Sequence, residues 1–149
     1  MTYTIIFEEN SPDEKLRLLR EGIEQHIESK FQNRSNKQLA FFLQDEKGTI
    51  VGGVHGKYGS WGWLYISALW VSEDIRGGGY GTRLMNSIEQ EAIRNGCINA
   101  YTDTFSFQAP EFYKKQGYTV FGELEDFPVG HSRFFLRKNL LQSETAERN

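Results

Sequence analysis

Apolar positions recur at two periods along this chain, and each change of period marks an element. The short apolar run Thr2–Phe7 reads as a first strand. Ser11-Pro12-Asp13-Glu14 then announces a helix, with Ser11 at the N-cap, Pro12 at the first helical position and Glu14 completing a capping box. Leu16, Leu19, Ile23 and Ile27 follow at helical spacing, so one face of Pro12–Lys30 is expected to be buried. Gln38–Gln44 and Ile50–Tyr58 read as a strand pair turned by Asp45-Glu46-Lys47-Gly48. A turn at Gly59-Ser60-Trp61-Gly62 leads into a longer strand, Trp63–Val71. Leu84, Met85, Ile88, Ala92 and Ile93 then define a helix that opens near Gly81 and stops at Asn95-Gly96. Ile98–Thr104 is a strand again, Pro110 starts a short helix ending at Gly117, and strands follow near Tyr118–Phe121 and Arg133–Asn139. Strand, Gly-rich turn, helix and strand in succession over Trp63–Thr104 is the order of a parallel pair with a crossover helix. The pattern predicts an α/β or α+β domain with one mixed sheet.

Composition narrows the class. A chain of 149 residues with 38% hydrophobic and 25% charged residues fits one globular domain, expected over residues 1–141, with a loose polar tail at 142–149. The net charge of −3 lacks the basic footprint of a nucleic-acid binder, so no nucleic-acid partner is expected. No apolar run approaches the roughly 20 residues that span a bilayer, and the N-terminus lacks the basic and apolar regions of a signal peptide. A cytoplasmic protein without a membrane partner is the expectation. Cys97 stands alone at the start of an apolar run and reads as a small buried hydrophobe. The scattered His residues and single Cys offer no metal-ligand spacing, and no metal is expected.

The candidate chemistry begins at Arg76-Gly77-Gly78-Gly79-Tyr80-Gly81-Thr82, between a strand and a helix N-terminus. Glycines let the backbone approach a ligand, and the helix adds unpaired N–H donors and the positive end of its dipole. Together they form a phosphate or pyrophosphate cradle; a tight turn alone requires fewer glycines. A P-loop requires Gly-Lys-Ser/Thr, and no Lys follows Gly81. A dinucleotide fingerprint fails at Thr82, where its third glycine would stand.

Arg76-x-x-Gly79-x-Gly81 resembles the glycine motif of the GNAT superfamily of N-acetyltransferases. Two further features match in the same order: the strand end Leu69-Trp70-Val71 before the loop, and Ser106-x-x-Ala109-x-x-Phe112-Tyr113-x-x-x-Gly117-Tyr118 after it. The resemblance spans about Trp63 to Leu140, and the run Asp103–Tyr113 is similar to a subgroup of small bacterial members. It implies a mostly antiparallel central sheet, a parallel pair at the cofactor site and helices on both faces. It also implies acetyl-CoA as co-substrate, a small-molecule or peptide amine as acceptor, direct attack in a ternary complex, and a homodimer. A CoA-binding module without turnover is the alternative.

Residue by residue, the resemblance places Leu69 and Val71 on the pantetheine arm and Arg76, Gly77, Gly78, Gly79, Tyr80, Gly81 and Thr82 around the pyrophosphate. Ser106, Ala109 and Phe112 would also contact the cofactor, although Ser106 stands where the family usually carries Asn. Tyr113 stands where many members carry the acid that protonates the leaving thiolate. An alkylamine with a pKa near about 10 must lose a proton before it attacks, so a base is required. Trp63–Val71 holds no carboxylate. Asp103, near the end of the next parallel strand, is the first candidate, and a turn-capping acid is its structural alternative. His131 is a weaker candidate, while His26 and His55 are assigned to an outer helix face and a hairpin. Trp61, Trp63 and Tyr65 share one strand face, fitting either an aromatic wall for a cation or ordinary packing. Glu123, Glu125 and Asp126 give the loop Gly122–Ser132 an acidic character suited to a cationic acceptor.

Overall fold

The turns expected between Gln38 and Trp63 close by the chemistry of their own residues. Asp45 Oδ1 accepts from the N–H groups of Lys47 and Thr49, each at 2.9 Å, and Gly48 supplies a left-handed φ of 83°. In the computed structural model, which describes residues 1–142, this turn joins β1 (Asn36–Gln44) to β2 (Ile50–Gly59), and a turn at Gly62 leads into β3 (Trp63–Val71). A helix, α2 (Tyr80–Arg94), crosses to β4 (Asn99–Phe105); α3 (Pro110–Lys115), β5 (Thr119–Glu125) and β6 (Ser132–Asn139) follow. Ahead of them all lies α1 (Asp13–Lys30).

The sheet order is β1-β2-β3-β4-β6-β5, antiparallel throughout except for the β3–β4 pair. This is the expected mixed, mostly antiparallel architecture, with α2 as the crossover. One sheet face carries Leu64, Ile66, Ala100 and Leu136, all 1% exposed or less, packed in one cluster with Met85, Ile88 and Ala92 of α2. The helix comes close enough that a Cβ at Gly56 would stand 3.0 Å from the Ile88 and Leu64 side chains and 2.9 Å from the Tyr65 carbonyl oxygen. Cys97 joins this core, and burial pushes its thiol up.

The chain divides into two compact units, Met1–Arg34 and the residues from Ser35 onward. In the first, the N-terminal expectations need correction. Residues 1–7 form no strand. Pro12, not Ser11, occupies the N-cap of α1 and makes no side-chain cap bond. The Ser11 hydroxyl donates instead to Glu8 Oε2 at 2.9 Å. No residue of α1 is buried, because this unit has no second element for the Leu16, Leu19 and Ile23 stripe to pack on. In the second unit, β5 runs on to Glu125, so Glu123 and Glu125 belong to an edge strand and the acidic loop shrinks to the turn around Asp126. Of the expected tail, only Gln142 falls within the described residues; 143–149 lie outside them.

Candidate active site

β3 and β4 pair only at Trp63–Asn99, Leu64–Ala100 and Tyr65–Tyr101. Their parting has a local cause. His55 of β2 faces Ala68 while the next residue, Gly56, faces Ile66, so Ser67 is an extra residue in β3. Such a bulge bends the strand that carries it. β4 is paired with β6 along its whole length without a register shift. The Ile66 carbonyl accepts from the Thr102 hydroxyl at 2.9 Å across the parting. What opens is a cleft of about 250 Å³, lined by Ile66–Leu69 of β3, Thr102–Thr104 of β4, Gln108, Ala109 and Tyr113.

Four predicted site residues, Leu69, Asp103, Ala109 and Tyr113, therefore meet in one cleft. Tyr113 is buried at 7% exposure, and burial raises its phenol above the ordinary value, the charge of Asp103 adding to the rise and Thr102 opposing it. The phenol is thus held protonated, as a proton donor must be. Asp103 is held from two sides: Oδ1 accepts from Tyr65 OH at 2.9 Å, and Oδ2 accepts from Arg133 Nε and Nη2 at 3.0 and 2.7 Å. Arg133 is fixed in turn among Phe105, Phe127 and Phe135, whose ring centres lie 5.6, 5.3 and 5.2 Å from its guanidinium carbon. Tyr65, pushed up to about 12 by burial and then by its bond to Asp103, remains a donor.

The glycine loop runs from the end of β3 into α2. Gly77 and Gly79 take left-handed φ values of 86° and 82°, and open space lies where a Cβ would stand on either. Gly79 is the N-cap of α2, no side chain caps that end, and its first turn carries no acid. Backbone donors at a positive helix end, unobstructed by side chains, suit a pyrophosphate. Gly81 has a different reason: a Cβ there would stand 3.2 Å from the Phe112 ring. Phe112 is thereby placed against the start of α2. Gly78 lies under the Tyr80 ring, and the Thr82 hydroxyl accepts from Gln116 at 2.9 Å.

Two predicted cofactor residues have other partners. Arg76 Nε donates to the Val71 carbonyl at 2.9 Å, and Val71 does not line the cleft. The Ser106 oxygen accepts from the Ser132 N–H at 3.0 Å, so it ties the end of β4 to the start of β6. Trp63 and Tyr65 both pack on Tyr101, at 5.9 and 4.8 Å between ring centres, which favours packing over a cation cage. His131 stacks edge-on against Phe107. The sequence reading missed Arg133 and the group Gln38–His55–Ser67 because both depend on cross-strand register, which residue spacing does not carry. Among the described residues no group of His, Cys, Asp and Glu is gathered to hold a metal. No helix among them is long and apolar enough to cross a membrane.

The sequence model of the acetyltransferase (GNAT) family matches residues 3–118. Blasticidin-S acetyltransferase of Streptomyces morookaense is 38% identical over 102 residues, covering 68% of this chain and 74% of its own. The crystal structure of an acetyltransferase from Bacillus cereus ATCC 14579 superposes with a TM-score of 0.82 at 36% identity, over 90% of this chain and 97% of the other. An aminoglycoside 6'-N-acetyltransferase solved with coenzyme A shares the fold, with a TM-score of 0.61 at 20% identity over 90% and 94% of the two chains. The chain belongs to the GNAT family of acetyltransferases. Its activity is acetyl-CoA-dependent N-acetyl transfer.

Proposed function

We propose that the acceptor is a primary amine on a small molecule, and that it attacks the thioester directly in the cleft between β3 and β4. The observation that carries this reading is the meeting, in one opening, of a strand edge without a partner, a buried protonated phenol and a fixed carboxylate. The residues fit acetyl-CoA. The backbone from Arg76 to Thr82 would receive the pyrophosphate, and Leu69 on the free edge of β3 would pair with the pantetheine arm as an added strand would. Ala109 and Phe112 would flank the arm from α3.

Tyr113 would give its proton to the departing sulfur. Asp103 spends both lone pairs of Oδ2 on Arg133 and one of Oδ1 on Tyr65, which leaves one acceptor direction to hold an incoming ammonium. A relative named for acetylating blasticidin S supports a small-molecule acceptor over a peptide. The reading extends to a homodimer, supported by the exposed Val120, Phe121 and Leu124 on edge strand β5 and tested by sedimentation at assay concentration.

The test of function is thiol release from acetyl-CoA across blasticidin S, aminoglycosides, polyamines, amino acids and lysine peptides, with calorimetric titration of acetyl-CoA alongside. Turnover confined to small amines would support the reading. Turnover on peptides alone would overturn the acceptor class, and acetyl-CoA binding without turnover would leave a binding module.

A further inference from the structure

The attacking nitrogen arrives as an ammonium, and β3 offers no carboxylate to discharge it. The bulge that opens the cleft supplies something else. Ser67, the extra residue, lines the cleft, and its Oγ is hydrogen-bonded to His55 Nδ1 on β2. The same hydroxyl has the His55 carbonyl as a second acceptor at 3.1 Å, and its one hydrogen serves either that oxygen or Nδ1. The other ring nitrogen, Nε2, is 3.0 Å from Gln38 Oε1 on β1. An amide oxygen only accepts, so Nε2 carries the ring hydrogen and Nδ1 turns its lone pair toward Ser67. Three strands thus build a line from the cleft to an imidazole whose tautomer is fixed.

We infer that Ser67 and His55 form the proton exit for the acceptor amine, with Gln38 setting the ring. The ammonium gives one proton to Ser67 Oγ as the Ser67 hydroxyl proton passes to His55 Nδ1, leaving a neutral amine and an imidazolium. The freed nitrogen lone pair attacks the acetyl carbon; the C–N bond forms, the C–S bond breaks, and the electron pair leaves on sulfur. Sulfur takes the Tyr113 proton, the second nitrogen proton restores the phenol, and His55 returns its proton to solvent. The balance is one amide, one thiol and one released proton. Ser67 is the group that touches the acceptor; His55 and Gln38 act through it. This rests on the amine-acetylation reading above and names the base that reading lacks.

The test compares wild type, Ser67→Ala and His55→Gln with an alkylamine from the panel, following kcat, KM, acetyl-CoA affinity and the thermal midpoint. Loss of a general base costs about 10²-fold or more in rate. The expected result is a fall of that order in kcat for His55→Gln, with acetyl-CoA affinity and thermal midpoint close to wild type, and a similar fall for Ser67→Ala. The deficit should also shrink as pH is raised toward about 10, where an alkylamine sheds its own proton. Gln38 and Ser67, which face the imidazole, do not ionise in that range; Lys57 on β2 and Tyr65 on β3 are the ionisable neighbours by register, and Tyr65 stays protonated to about 12. Variants as fast as wild type, or a deficit constant with pH, would overturn the relay. A wild type that binds acetyl-CoA and acetylates no amine would instead defeat the reading beneath it.

Discussion

Tyr113 and Asp103 share the cleft wall but face opposite demands. In the proposed reaction a donor to the leaving thiolate must keep its proton until sulfur departs, and burial would secure that for Tyr113. Tyr113→Phe keeps the ring and its edge contacts with Phe112 and Tyr118, so acetyl-CoA affinity should be retained. The kcat should fall about 10²-fold, as expected for loss of a general acid, and steady-state kinetics with parallel calorimetry checks both halves of the claim. Asp103 acts by charge. Asp103→Asn would leave the Arg133 guanidinium unneutralised beside the cleft and remove the anion proposed to meet the ammonium. The KM for the amine is expected to rise about tenfold or more, as for loss of a partly buried charge contact, with a smaller change in kcat. An initial-rate series in amine at saturating acetyl-CoA reads the split.

At the scale of elements, the start of α2 is the part proposed to carry cofactor affinity. Gly79→Glu places a carboxylate where the helix end would meet a pyrophosphate, and acetyl-CoA binding should disappear from calorimetry. Gly79→Ala is the control: it shares the strained left-handed backbone, a cost of about 1–3 kcal/mol, without the charge, and should weaken binding far less. This loop was legible in the sequence because Gly77 and Gly79 answer to a local requirement, a positive φ with open space beside it. β1 through β4 and α2 were legible for a similar reason, since period and turn residues are local signals. The bulge at Ser67 was not. Nothing in Tyr65-Ile66-Ser67-Ala68 announces an unpaired residue; the extra position exists only in register with His55 and Gly56 of the neighbouring strand. Arg133 escaped for the same reason, because its partner Asp103 lies 30 residues earlier in the chain, on the adjacent strand. The first strand failed in the other direction, a short apolar run whose local pattern did not form one.

Across the whole sheet unit, the phenols link the fold to alkaline pH. Tyr65 joins the cleft acid to the aromatic row on β4, and its pKa is pushed from an ordinary 10.0 up to about 12. Tyr118, at the far side of the core, is also pushed up, by burial and then by the Glu89 carboxylate that accepts its hydroxyl at 3.2 Å. Both shifts carry the same sign. The fold favours the protonated phenol, so its contribution to stability is complete below pH 10 and declines as pH rises through the folded-state value. Wild-type stability from urea melts is therefore expected to fall steadily above pH 10. Tyr65→Phe should be less stable than wild type at neutral pH, because Asp103 loses a donor, yet lose less between pH 10 and 12, so that the two curves converge. A gap that stays constant over that interval would mean that the fold does not hold the Tyr65 proton, and that Asp103 is anchored by Arg133 alone.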